Sequence, residues 1–244
     1  MHIEFDKSTF ISNFLSPITR VTEKGALLIK KDTISCICTP DSNNPIVYST
    51  IITENDIGDN EEITLCIPDI KRLIVAINCT DGDRIKLTIN SNNLEYNGKR
   101  TTFKYHLLEP NALPKEIVNR KKLLDLKYDC DFVLTRDMFG RVLKSMPFSV
   151  NTSKIYFFTK DTNVHCELTD KSIANADPIS FMIAESFNGE PIKVILPIGT
   201  DIFKLFSGIS NDITVKYSSA NKVFLFKISD DTYTIRYIVS PMVK

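Results

Sequence analysis

The chain has 244 residues, 43% hydrophobic and 25% charged, with eight Gly, eleven Pro and no Trp. This composition excludes disorder, collagen and an extended coiled coil. Thirty basic residues balance thirty acidic ones, and residues 1–122 alone carry sixteen of each, so no bulk field draws the protein onto nucleic acid or an anionic membrane. Any such binding has to come from local segregation of charge.

No apolar run approaches the ~18 residues of a membrane span. The polar opening, Met1-His2-Ile3-Glu4-Phe5-Asp6, has no signal-peptide pattern, and a cytoplasmic or nuclear protein is expected. Cys36, Cys38, Cys66, Cys79, Cys130 and Cys166 are then expected to be reduced core residues.

In chain order, residues 7–18 predict an amphipathic helix with Phe10, Ile11, Phe14, Leu15 and Ile18 on one face and Ser8, Ser12, Asn13 and Ser16 on the other. Asp6 is its expected N-cap. Short β-rich runs follow at 26–30, 33–39 and 46–53. An apolar strand then enters a second helix through Ile67-Pro68, and strand-like runs at 84–90, 93–96 and 101–108 end at Pro110. Residues 109–126, polar and without strand alternation, read as a connector between domains at 1–108 and 127–244.

The second domain repeats this plan. Residues 135–146 predict a helix capped by Thr135, with Met138, Phe139, Val142 and Leu143 inward and Arg136, Arg141 and Lys144 outward. Strands are expected at 154–160, 163–168 and 179–187. Leu196-Pro197 enters a helix at 198–209, and strands at 212–217, 222–228 and 232–239 end at Pro241. The fold class is therefore α+β: two similar tandem domains, each with two helices packed on antiparallel sheets.

Charge is not spread evenly over this plan. Counted from 7–20, 69–78, 135–146 and 198–209, the four helices carry net charges of +2, +1, +2 and 0, leaving the remainder of a neutral chain negative. If the helices share one face, their cations form a stripe suited to phosphates rather than bases.

The tandem plan, the Arg141-x-x-Lys144 pair, the two X-Pro helix entries and the tail Tyr237-Ile-Val-Ser-Pro-Met-Val-Lys244 resemble the sliding clamps of the proliferating cell nuclear antigen and bacteriophage processivity-factor type. The resemblance spans the whole chain. It implies a DNA clamp fold closed as a homotrimer into a pseudo-six-fold ring around duplex DNA, with helices lining the hole and sheets outside. Such a clamp is a polymerase accessory protein in DNA replication, and its partners would be double-stranded DNA, a DNA polymerase, a clamp loader ATPase and further copies of itself.

By the same resemblance Arg72, Arg141 and Lys144 line the channel, with Lys7, Lys71, Arg136 and Lys204 as further DNA-facing candidates. Ser12 and Asn13 stand where cellular clamps are basic. A partner-peptide pocket would be lined by Ile37, Cys38, Leu113, Ile117, Val118, Pro241, Met242 and Val243. Residues 100–108 and 178–185 would be the edges that join subunits. The Ile-, Asn- and Lys-rich composition points to an AT-rich genome, and with it to a bacteriophage source.

An enzyme is not expected. His2, His106 and His165 have no metal-ligand spacing, and Cys36-x-Cys38 has no second pair to complete a zinc site. The glycine-rich phosphate loops and a nucleophile elbow are missing. No cofactor and no metal are therefore expected. The rival reading is a clamp-fold scaffold or adaptor subunit, of checkpoint or late-transcription type, acting as a monomer or heteromer; an unrelated α+β hydrolase is a distant third.

Overall fold

A computed structural model describes residues 1–109, 120–148, 153–173, 175–193, 196–208 and 210–242. The chain divides into two compact units, Met1–Leu124 with Ser229–Ile235, and Asp125–Ile228 with Arg236–Lys244. Of the expected connector, 110–119 lies outside the described residues, while Arg120–Leu124 forms a short helix.

The first unit runs β1 (His2–Asp6), a first helix over 7–19, β2 (Gly25–Lys30), β3 (Thr33–Cys38), β4 (Ile46–Ile52), β5 (Glu54–Asn55), β6 (Ile63–Ile67), a second helix (Ile70–Asn78), β7 (Arg84–Ile89), β8 (Asn93–Asn97) and β9 (Thr102–His106). After the connector the order recurs: β10 (Cys130–Leu134), a third helix (Arg136–Ser145), β11 (Lys154–Lys160), β12 (Asn163–Leu168), β13 (Ile179–Ala184), β14 (Asn188–Gly189), β15 (Pro197–Gly199), a fourth helix (Thr200–Leu205), β16 (Ile213–Ser218), β17 (Val223–Ser229) and β18 (Tyr233–Val239).

Hydrogen bonding repeats with the order. β1 pairs with β5 and β7 as β10 pairs with β14 and β16. β2 pairs with β3 and β6 as β11 pairs with β12 and β15. β3–β4 corresponds to β12–β13, β7–β8 to β16–β17 and β8–β9 to β17–β18. The internal repeat seen in the sequence is thus a repeat of the hydrogen-bond ladder. All of the registered pairs are antiparallel.

β9 ends one sheet and β13 ends another. β4, which corresponds to β13, is covered within the first unit by the segment 229–235, where the Ile52 N–H donates to the Thr232 carbonyl at 2.8 Å.

Local sequence explains the helices. The Asp6 carboxylate caps the first helix by accepting from the Thr9 N–H at 2.7 Å. That helix is not a regular α-helix: Lys7–Thr9 and Ser16–Thr19 are α, but Phe10–Leu15 is π-wound, with the Ser16 N–H reaching back to the Ile11 carbonyl. Pro17 lacks the N–H that would continue the α ladder, and the wider turn lets the chain pass it. Phe10, Phe14, Leu15, Pro17 and Ile18 are buried, and the Phe5, Phe10 and Phe14 rings stack at 3.9 and 5.3 Å.

The third helix is capped by the Thr135 hydroxyl, which accepts from the Met138 N–H at 3.3 Å. The fourth is shorter than expected. Pro197–Gly199 is drawn into the sheet beside Lys154–Tyr156, and Gly208 takes a positive φ of 81° soon after the last turn. The core of this unit is aromatic: Phe139 lies 5.8 Å from Phe203 and 6.0 Å from Phe206, while Phe206 meets Tyr237 edge-on at 4.6 Å. These rings hold the third and fourth helices against each other and against the strands.

Two tyrosines fasten the second helix to its sheet. Tyr105 on β9 donates to the Asp69 carbonyl at 2.6 Å and accepts from the Asp69 N–H at 3.1 Å, while Asp69 itself caps the helix by accepting from the Arg72 N–H at 2.9 Å. Tyr96 on β8 does the same beyond the other end, donating to the Asp81 carbonyl at 3.0 Å and accepting from the Asp81 N–H at 3.1 Å.

Two substitutions probe these local devices. Tyr105→Phe removes the hydroxyl that serves both backbone groups of Asp69 and is expected to cost about 1–2 kcal/mol in denaturant unfolding; an unchanged midpoint would contradict it. Gly189 has φ +88°, and a Cβ there would sit 2.2 Å from the Asp129 carbonyl oxygen, so Gly189→Ala should lower the thermal midpoint by displacing β14 from β10.

Candidate nucleic-acid interface and partner sites

The second helix buries Ile70, Leu73 and Ile77 and exposes Lys71, Arg72 and Val75. This is the 3.6-residue period at work: the apolar stripe meets the sheet and the cations face solvent. Among the described residues no ion pair engages Lys71 or Arg72. Lys7 differs, because its Nζ donates to the Thr80 carbonyl at 3.0 Å. It ties the start of the first helix to the chain just past the second, and is half-buried in doing so.

In the second unit the third helix buries Phe139 and Val142 and exposes Arg136, Arg141 and Lys144. Arg141 Nε lies 3.0 Å from the Asp137 carboxylate, one helical turn back. Lys204 on the fourth helix is held by Asp201 at 2.9 Å. Arg136 and Lys144 enter no ion pair among the described residues. Of the seven expected cations, Lys71, Arg72, Arg136 and Lys144 are therefore presented without a counter-ion among the described residues. Arg141 and Lys204 are exposed too, in surface pairs of the kind worth at most about 1 kcal/mol, which a phosphate can displace.

The expected peptide pocket is only partly visible. Leu113, Ile117, Val118 and Val243 lie outside the described residues. Ile37 is half-buried on β3, where it pairs across the sheet with Tyr48. Cys38, the next residue, points to the opposite face and is 8% exposed, because side chains alternate along a strand. Ile37 and Cys38 therefore do not line one surface. Pro241 is half-buried, and Met242 is exposed, its N–H donating to the Pro197 carbonyl at 2.8 Å.

Two residues beside Ile37 carry no sequence motif. Arg120, at the end of the connector, donates from Nη2 to the Tyr48 hydroxyl at 2.8 Å, and its guanidinium carbon lies 5.4 Å from the Tyr48 ring centroid. This combined hydrogen bond and cation–π contact anchors the short helix Arg120–Leu124 on β4. Tyr48 is buried on β4 between the equally buried Val47 and Ser49, and nothing in the sequence couples it to a residue 72 positions away.

His165 stacks on Phe158 at 5.5 Å across β11 and β12. Burial pushes the Cys130 thiol up to about 11 and Cys166 up to about 12, so neither is a thiolate nucleophile near neutral pH. Among the described residues no cluster of three or more His, Cys, Asp and Glu could hold a metal ion, and no helix is long and apolar enough to cross a membrane.

No family model and no curated protein matches the sequence. Solved structures do match. The PCNA of A. fulgidus, in a structure described as the C-terminal region of FEN-1 bound to A. fulgidus PCNA, superposes with a TM-score of 0.78 at 16% identity, over 100% of this chain and 98% of that one. The PCNA of Thermococcus kodakaraensis matches with a TM-score of 0.74 at 15% identity, over 99% of both chains. At such identity the likeness rests on the path of the backbone, which agrees from end to end. The chain has the fold of the PCNA sliding clamps.

Proposed function

We propose that this protein is a DNA sliding clamp: a homotrimeric ring that encircles duplex DNA without reading its sequence and tethers a DNA polymerase for processive synthesis. The observation that carries the reading is the repeated clamp fold over the full chain, with exposed cations on helices of both units. Phosphate contacts fix a protein on the duplex while carrying no sequence information. A protein held by a few of them alone can slide, and its affinity falls with salt as condensed counterions are released.

Ring closure follows from the repeat. β4 is covered by the start of the last strand, whereas among the described residues its counterpart β13 is uncovered, and so is β9, the counterpart of β18. One complementary pair of edges is used up inside the chain and its equivalent is left for other copies. Head-to-tail addition of this kind makes a closed ring when the rotation permits.

A polymerase and other replication proteins would dock beside Ile37 and the Arg120–Tyr48 anchor, with Pro241 and Met242 of the tail as a further candidate surface. A closed ring does not thread onto circular DNA, so an ATP-hydrolysing loader is a further partner. The adaptor reading draws on one feature: the first helix presents Ser12 and Asn13 and no cation between Lys7 and Arg20. An adaptor subunit of the same fold would bind protein partners and leave DNA alone.

Titration of duplexes of unrelated sequence against salt separates the two readings. The clamp is expected to bind them alike, with log affinity falling linearly in log salt. Arg72→Glu and Lys144→Glu should each weaken binding to every sequence and flatten that slope, by roughly one for each phosphate no longer neutralised. Asp137→Asn, which frees Arg141, should strengthen binding. Absence of duplex binding at low salt, or binding indifferent to these changes, would favour the adaptor.

A further inference from the structure

Residues 54–62, which run from β5 to the residue before β6, contain Glu54, Asp56, Asp59, Glu61 and Glu62 and no Lys or Arg. Four of these acids are set against basic groups of the first unit. The Arg84 guanidinium, at the start of β7, lies 2.5 Å from the Glu54 carboxylate through Nη2 and meets Glu4 through Nε. Lys31 Nζ, in the turn between β2 and β3, meets Asp59, Lys30 Nζ at the end of β2 meets Glu62, and His2 Nε2 lies 3.6 Å from Asp56. The fifth acid closes the segment on itself: the Glu61 N–H donates to the Gly58 carbonyl at 3.1 Å and the Glu61 carboxylate accepts from the Gly58 N–H at 3.2 Å. From Gly58 to Glu61 no backbone hydrogen bond reaches a strand among the described residues, and residues 58–62 are exposed. This part of the chain is a strap fastened to its sheets by charge.

The internal repeat supplies a control. Lys30 and Lys160 end β2 and β11 and pair with Thr33 and Asn163, so Lys31 corresponds to Asp161. Arg84 and Ile213 correspond as well, since they pair with the last residues of β1 and β10. The counterpart of the strap, between β14 and β15, is Glu190-Pro-Ile-Lys-Val-Ile-Leu196, with one acid and one cation. The second unit thus lacks the acidic strap together with two of the cations beneath it. The ladder forms without either, so the strap and its cations serve something besides the ladder.

We propose that Lys30, Lys31 and Arg84 form a second anion-binding surface on the first unit, that its ligand is the phosphodiester backbone of DNA, and that the acidic strap is its built-in competitor. The strap's carboxylates occupy the places that phosphates would take. None of the three cations lies on a helix, so the surface is separate from the helix cations on which the clamp reading rests. The Lys30 ammonium, hydrogen-bonded to Glu62, holds that carboxyl below the usual carboxylate range, and Asp59 raises Lys31 in the same way. Both pairs therefore stay charged at neutral pH, yet they are exposed, and exposed pairs are weakly held and screened by salt. Duplex DNA presents one charge per ~1.7 Å of axis and releases condensed counterions when a cation neutralises a phosphate. The strap spreads five acids over nine residues and has no such atmosphere to release, which gives DNA the advantage in exchange.

The test neutralises the strap with Asp59→Asn and Glu62→Gln and measures binding of a fluorescent duplex and of labelled polyglutamate across a salt series. Asp161→Asn with Glu190→Gln removes the same two charges from exposed positions of the second unit and serves as the control; circular dichroism checks that each variant is folded. Relative to the wild type, the strap variant is expected to bind duplex about tenfold tighter at ~50 mM salt, with a log–log salt slope steeper by roughly two. Adding Lys30→Gln and Lys31→Gln should abolish that gain. A gain no larger than the control's, or one that survives loss of both lysines, would overturn the surface. A larger gain for polyglutamate than for duplex would overturn the assignment to phosphate. Duplex binding absent from the wild type, but gained on strap neutralisation and lost again with Lys30 and Lys31, would remove the clamp reading and support this inference.

Discussion

The backbone of a strand needs partners on both sides, and much of this structure is an answer to that need. Every N–H and C=O on an open edge must find a strand, a covering element or water. In the first unit the solution is internal: β4 is closed by residues 229–235, although they lie far away in the chain. The repeat then creates the same requirement a second time, at β13, which ends its sheet among the described residues. A fold made by repeating one ladder twice has one such edge covered inside the first unit and, among the described residues, its equivalent uncovered.

Electrostatics act at a smaller scale than composition. A neutral chain exerts little steering field, yet Lys71, Arg72, Arg136 and Lys144 stand exposed on helices whose other faces are packed into apolar cores. The two tyrosine bridges at Asp69 and Asp81 hold the second helix at both ends, so Lys71 and Arg72 project from a fixed platform. Lys7 shows the opposite use of a cation. Its ammonium satisfies the Thr80 carbonyl, and its charge serves the fold before it serves a ligand.

Much of this was legible in the sequence because it obeys short-range rules. The caps at Asp6 and Thr135 follow from side-chain oxygens placed just ahead of apolar periodicity, and most strands follow from alternation and the repeat, but β1, β5, β10 and β14 are not read from it, being short runs of at most five residues next to a helix or a turn. Other features depend on partners distant in the chain. The π-wound Phe10–Leu15 segment keeps an apolar stripe that a regular helix would also show. Pro197–Gly199 looks like a helix entry until β11 claims it as a strand. Cys38 lies beside Ile37 in sequence but on the other face of β3, and the Arg120–Tyr48 anchor joins residues that share no pattern.

Direct imaging of the assembled particle by negative-stain electron microscopy, at low salt and without DNA, tests the central claim that the uncovered edges close into a ring. The expected result is closed annular particles of uniform size, with a central hole wide enough to admit duplex DNA and an outline repeating six similar lobes. Solid particles without a hole, or open head-to-tail filaments, would contradict it.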